Sequence, residues 1–220
     1  MTIRRDSVDK IFHRTRKGNW SCISHGEGCY LYDADGKVYL DACAGVHVVS
    51  IGHGVKKIGE AMAEQAGKIA FAYGQFISEP QAKLAKKITS MCPDGMERVF
   101  FVSGGSEATE TALKIARKYH IESGNPSKYK VVSCWQSWHG NTIGALSMSG
   151  RSAWSKDFTP YLLDFPHISH HSTDEFEQVI RQTGSEYISA FIVEPILGTS
   201  AAGLTPPDEY FKTIRDICDH

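Results

Sequence analysis

The common signatures of phosphate binding and of nucleophilic catalysis are missing from this chain. No G-x-G-x-x-G follows an apolar run and no G-x-x-x-x-G-K-[ST] occurs, which excludes a dinucleotide fingerprint and a P-loop. G-x-S-x-G is missing too, so nothing points to a nucleophile-elbow hydrolase. Cys22, Cys29, Cys43, Cys92, Cys134 and Cys218 are scattered without paired metal-ligand spacing. Charge of one sign is also lacking: a net charge of −1 gives no basic footprint for nucleic acid or an anionic membrane. No apolar run is long enough to span a bilayer, no repeat occurs, and "MTIRRDSVDK" carries no apolar h-region. The expectation is a cytoplasmic protein of a reducing compartment, with neither nucleic acid nor membrane as partner.

What is present is an ordinary globular composition: 220 residues, 41% hydrophobic and 22% charged. Such a chain can bury a core as one large domain, or as one domain plus a fragment. "GCYLYDADGKVYLDACAG" has two alternating runs flanking Asp33-Ala34-Asp35-Gly36, the pattern of a hairpin. After "GHG" at 52–54, helical periodicity runs from Val55 to Lys68 and from Pro80 to Met91. Strands then alternate with helices: Val99–Val102, a helix to His120, Lys130–Ser133, Tyr187–Val193, and a last helix from about Asp208. Alternation of this kind predicts an α/β fold with a mainly parallel sheet, its ligands lying outside the carboxyl ends of the strands.

The most informative stretch is "VFFVSGGSEATETALKIARKYH", residues 99–120. An unalternating apolar run reads as a strand buried on both faces, and it passes through Ser103, Gly104, Gly105 and Ser106 straight into a helix. Ala108, Ala112, Ile115, Ala116 and Tyr119 are expected to form the buried stripe of that helix, with Glu107 and Glu110 in its first turn. A glycine turn opening onto a helix N-terminus presents free backbone N–H groups, and Ser106 adds a hydroxyl: an anion site. The two glycines are read as allowing positive φ and close approach of a ligand. A plain strand-to-helix turn with a serine N-cap is the competing reading.

Two other strand ends carry unusual chemistry. Val131-Val132 runs into "SCWQSWHGNT", with Trp135, Trp138, His139 and Gly140, and "AFIV" runs into Glu194-Pro195. An anion cradle, a flat aromatic and a carboxylate suit a planar, phosphorylated cofactor. Taken singly, a tryptophan such as Trp138 is more often core than platform, a histidine such as His139 more often structural, and Glu194 before a proline reads also as a loop cap; the combination favours a site.

These segments resemble the class III, pyridoxal-phosphate-dependent aminotransferases of fold type I, over almost the entire chain. "GCYLYDADGKVYLDACAGVHVVSIGHG" is similar to that family's N-terminal hairpin, and "FFVSGGSEATETALKIARKYH" to its phosphate-binding turn and helix. "SWHGNTIGALSMSG" is similar to its aromatic-His-Gly motif, and "FIVEPILGTSAAGLTPPDEYFKTIRDICDH" to the segment leading toward its cofactor-anchoring strand. The resemblance implies an N-terminal small-domain segment over 1–54 and an incomplete large domain over 55–220. Gly104, Gly105 and Ser106 would hold the phosphate of pyridoxal 5'-phosphate, and Trp138, followed by His139, would lie against its ring. Glu194 would sit near the substrate and pair with a distant arginine, while Tyr73 would reach a neighbouring subunit's site, with a packed aromatic as its other reading.

The chain departs from the family pattern in three places. Gly104 stands where many members have a first serine, so one hydroxyl is absent; Trp138 stands where many have Tyr or Phe. After the counterpart of "RDICDH" the family continues into an aspartate that pairs with the ring nitrogen and a lysine that forms the Schiff base. The expectation is therefore half of an enzyme that moves an amino group between an amino donor and a 2-oxo acid. A second polypeptide would complete it, in a likeness to the homodimers of the family; a truncated piece of a longer chain is the other explanation. A racemase or aminomutase on the same scaffold and a non-catalytic remnant are the competing functions.

Overall fold

The structure is a computed structural model that describes residues 10–13, 20–198 and 200–220. The chain divides into two compact units, Met1–Met96 and Glu97–His220.

In the first unit, β1 (Ile23–Glu27), β2 (Tyr30–Asp33) and β3 (Val38–Leu40) form an antiparallel meander in the order β1-β2-β3. The hairpin expected around Asp33 to Gly36 joins β2 to β3, with Tyr30 opposite Leu40 and Tyr32 opposite Val38. Asp33 organises this turn: its Oδ1 accepts the amides of Lys37 at 2.8 Å and Asp35 at 3.0 Å, and its Oδ2 the Tyr39 hydroxyl at 2.9 Å. The Lys37 amide above all holds its carboxyl below the usual range. A short turn, α1 (Ala44–His47), is left-handed throughout, with φ of 45°, 59°, 61° and 65°. Asp41 pins it, accepting the Gly45 amide at 2.8 Å and His53 Nε2 at 2.7 Å. The two helices read from periodicity follow as α2 (Lys56–Lys68) and α3 (Glu79–Thr89), the second with proline in its first turn, where no N–H is missed.

The second unit opens on α4 (Gly105–Glu122) and builds a parallel sheet of β4 (Lys130–Cys134), β5 (His167–Ile168) and β6 (Ile188–Phe191) in the order β5-β4-β6. Ser133 pairs with His167 and Cys134 with Ile168 on one side; Val131 pairs with Ala190 and Val132 with Phe191 on the other. Strand alternation sends neighbouring side chains of β4 to opposite layers. Val132 and Cys134 pack with Ile168 and with Phe176 of α7 (Asp174–Thr183) and Tyr210 and Ile214 of α8 (Tyr210–Asp219). Val131 packs with Met148 of α5 (Ile143–Met148) and with Phe165. A four-residue turn of helix, α6 (Ser152–Ser155), follows α5. β5 and α7 were not anticipated, although Asp174, Glu175 and Glu177 in the first turn of α7 and Gly184 at its end (φ 89°) are ordinary boundary signals.

Three expectations require correction. Val99–Val102 is not a buried strand: it pairs with no strand among the described residues, and Phe100 is 71% exposed. An extended apolar run becomes a strand only where a neighbour supplies the ladder, and none is present beside it. The buried stripe of α4 is also a different one. Ala108, Ala112, Ile115 and Tyr119 are exposed and only Ala116 of the expected stripe is half-buried, together with Ser106, Thr109, Glu110, Thr111, Leu113, Arg117 and His120, because polar side chains on this face bond to the loops after β4 and after the helix itself. Finally, the glycine pair does not use positive φ: Gly104 is extended (φ −167°), and Gly105 is the first residue of the helix.

Candidate functional site

The N-terminus of α4, the loop after β4 and the loop after β6 meet at the carboxyl edge of the parallel sheet. Gly104 is the N-cap of α4 and no side chain caps the helix; its ladder begins with Ala108 N–H donating to Gly104 O at 3.0 Å. The preceding amides of the first turn are therefore left for an outside acceptor. A Cβ at Gly105 would meet nothing within 4 Å, so the space over the first turn is open. At Gly104 a Cβ would meet only the flexible end of Glu107, so neither sterics nor φ forces glycine there. Ser106 Oγ accepts the Asn141 amide at 2.9 Å, which leaves its hydroxyl proton to donate.

Three residues to which the sequence assigns no such role, Gly140, Thr109 and Glu110, fix this geometry. Gly140 (φ 137°) passes so close to α4 that a Cβ would lie 2.8 Å from Ser106 Oγ and 3.0 Å from Ser106 Cα. The Thr109 hydroxyl reaches both Gly105 O at 2.8 Å and His139 O at 2.7 Å. Glu110, expected to serve its own helix dipole, instead caps α5: its Oε1 accepts the amides of Gly144 at 2.8 Å and Ala145 at 3.2 Å. The loop after β4 is thereby tied to successive turns of α4 by Ser106, Thr109 and Glu110. Their i, i+3, i+4 spacing was the available signal.

Trp138 and Glu194 are brought together directly. Glu194 Oε1 accepts the Trp138 amide at 2.6 Å, and its Oε2 the Gly198 amide at 3.4 Å. Both oxygens therefore hold backbone, and the pairing joins the turn bearing the indole to the loop after β6. Trp138 remains 37% exposed, with its ring edge-to-face against Trp154 at 4.7 Å and 85°. Trp135 instead stacks on His167 at 4.7 Å. His139 sits behind the turn: its amide donates to Ser149 Oγ at 2.9 Å, and its Nε2 is buried with no partner. Burial, with His167 nearby, pushes its pKa down to about 4, so the ring is neutral at pH 7. Burial pushes the Cys134 thiol up to about 11, at the end of β4 beside the Tyr210 hydroxyl, and so keeps it protonated. Tyr73, in the other unit, is 53% exposed and packs edge-to-face on Phe76 at 5.0 Å.

Open helix amides, a serine proton and an accessible indole whose backbone amide is held by a carboxylate thus share the carboxyl edge of the parallel sheet. The chain belongs to the class III aminotransferases, whose family model matches residues 12–220. It is 38% identical over 213 residues to the uncharacterized aminotransferase YodT of Bacillus subtilis, covering 89% of this chain and 48% of that protein. It is 34% identical over 214 residues to the putrescine–pyruvate aminotransferase of Pseudomonas aeruginosa, covering 89% and 47%. Among solved structures, a transaminase from the marine bacterium Virgibacillus superposes with a TM-score of 0.90 at 34% identity, covering 97% of this chain and 52% of that one. An (S)-enantioselective omega-transaminase from Thermomicrobium roseum gives 0.89 at 33%, covering 98% and 53%. The chain spans about half the length of the curated relatives it matches. The cofactor of this family is pyridoxal phosphate, and the open amides and hydroxyl of this site suit its phosphate.

Among the described residues, no helix is long and apolar enough to cross a membrane, and no cluster of His, Cys, Asp or Glu could hold a metal ion.

Proposed function

We propose that this chain forms the phosphate-binding wall and aromatic platform of a pyridoxal-phosphate-dependent aminotransferase that moves an amino group between a small-molecule amino donor and a 2-oxo acid. The observation that carries the reading is the uncapped N-terminus of α4 with the Ser106 proton free to donate, on the same rim as Trp138. Gly104, Gly105 and Ser106 would receive the phosphate dianion, where first-turn amides and the helix dipole favour negative charge. Trp138 would present its π face to the pyridine ring. Glu194 holds the Trp138 turn in place at the substrate end, and His139 backs that turn as a neutral buried ring. When bound, the cofactor supplies an electron sink for the bonds at the amino-bearing carbon.

In this reading residues 1–54 belong to a small domain, 55–220 to the large one, and Tyr73 faces the site of a neighbouring subunit in a homodimer. The ring-nitrogen aspartate and the Schiff-base lysine come from a second polypeptide. Support comes from relatives twice as long and from the apolar run Val99–Val102, which has no strand beside it among the described residues.

Borohydride reduction of the protein with pyridoxal phosphate, followed by peptide mapping, tests this. The isolated chain is expected to show no stoichiometric label at any one lysine, and the complete assembly to carry the label on the second polypeptide. A single fully labelled lysine within residues 1–220 of active protein would overturn the half-enzyme reading. Ser106→Ala is expected to weaken cofactor retention by roughly 1–3 kcal/mol, the value of a hydrogen bond to a charged group. Unchanged retention on equilibrium dialysis would remove Ser106 from the cradle.

A further inference from the structure

We propose that Arg151 and Trp154 are positioning residues for Trp138, a cation-on-indole brace that sets the angle of the platform ring; the inference rests on Trp138 serving as that platform. Backbone anchoring alone does not orient an indole. The Glu194 carboxylate fixes the Trp138 amide, but the ring is 37% exposed, so burial does not select its rotamer. Its aromatic neighbour is Trp154, 4.7 Å away at 85°, an edge-to-face arrangement that specifies orientation as well as distance.

Trp154 is itself 38% exposed and needs something to hold it. The Arg151 guanidinium lies 4.2 Å from its ring centroid, within the range of a cation–π contact. No carboxylate pairs with Arg151 among the described residues, so the guanidinium is free for the ring. The Trp154 amide also donates to Arg151 O at 3.0 Å, which keeps the two on one turn.

The brace and the platform share a register. Gly150, just before Arg151, donates its amide to Ser137 O at 3.1 Å, and its carbonyl accepts the Gln136 amide at 3.0 Å. Ser137 precedes Trp138, so the residues carrying the cation and the platform leave the same pair of backbone segments side by side. Arg151 therefore acts on the platform through Trp154, without contact to substrate.

Two indoles at this separation and angle couple excitonically, which gives a readout independent of cofactor and turnover. Circular dichroism of the purified protein is expected to show a couplet that Trp138→Phe and Trp154→Phe each abolish. Arg151→Met is expected to lose at least half of the couplet with its thermal midpoint unchanged, and Arg151→Lys to retain most of it. In the complete assembly, Arg151→Met and Trp154→Phe are expected to raise the dissociation constant for pyridoxal phosphate roughly two- to fivefold, in line with an exposed cation–π contact. An intact couplet in Arg151→Met, or a lost couplet with unaltered cofactor affinity, would overturn the brace. If Trp138→Ala itself leaves cofactor affinity unaltered, the platform assignment fails and the inference falls with it. If Trp138→Ala weakens binding and Arg151→Met does not, the brace alone fails.

Discussion

Gly150→Ala is expected to destabilise the second unit by roughly 3 kcal/mol or more, because an added methyl group there meets the closest obstacle found at any of the described glycines. A Cβ there would sit 2.6 Å from Trp135 Cα and closer still to the carbonyl oxygen of Cys134. Both obstacles are backbone, so no rotamer change relieves them. Nor can the backbone retreat: Cys134 is fully buried, Gly150 bridges to Trp135, and the Gly150 amide and carbonyl are bonded to Ser137 and Gln136. The clash would be relieved only by pulling the loop after β4 off the chain that follows α5, which unseats Trp138 as well. Gly105→Ala is the matched control, since its Cβ meets nothing within 4 Å and alanine is a good helix former. Urea denaturation measures both; a loss below 1 kcal/mol in Gly150→Ala would show that this junction is slack.

That contrast marks what could be read from the sequence. The turn-to-helix transition at Ser106, the indole at Trp138 and the carboxylate at Glu194 were legible because each follows an apolar run that ends abruptly, and strand ends are where α/β folds place their chemistry. β4 and β6 were legible because the short apolar runs Val131-Val132 and Ala190-Phe191-Ile192-Val193 lack alternation, as strands of a covered parallel sheet do. The roles of Glu110 and Gly150 were not, because each is defined by a partner 34 or more positions away or by the next loop's backbone, and periodicity carries no information on such pairs. The misread stripe of α4 has the same origin. Thr109 and Glu110 look like solvent residues until the loop after β4 arrives to receive them, whereas Ile115 and Tyr119 look like core but face away from the described second unit. Val99–Val102 shows the limit from the other side, since strand propensity is local but a strand needs a neighbour.

Stability of the second unit is expected to fall as pH drops from about 6.5 to about 4, with His139 responsible for much of the slope. In the folded protein its ring is buried, Nε2 has no partner, and its pKa lies near 4 against 6.5 when solvated. The folded pKa is the lower of the two, so the unfolded chain takes up the proton first, and acid favours unfolding throughout that window. Above pH 6.5 the ring is neutral in both states and contributes no pH dependence. The span from 6.5 to about 4 corresponds to roughly 3 kcal/mol at its full extent. His167 and His170 are lowered in the same direction by burial and steepen the slope. Asp33, Asp41 and Glu79 also lose stabilisation toward acid, because their folded pKa values are lowered, but they lie in the first unit and are unchanged by a substitution at 139. The decisive quantity is therefore a difference: urea midpoints of the wild-type chain and of His139→Gln, each measured from pH 7.5 to pH 4. Glutamine does not titrate, so the two curves are expected to converge toward acid, the variant starting lower and falling less. Parallel curves would mean that the His139 ring reaches solvent and titrates as it does in the unfolded chain.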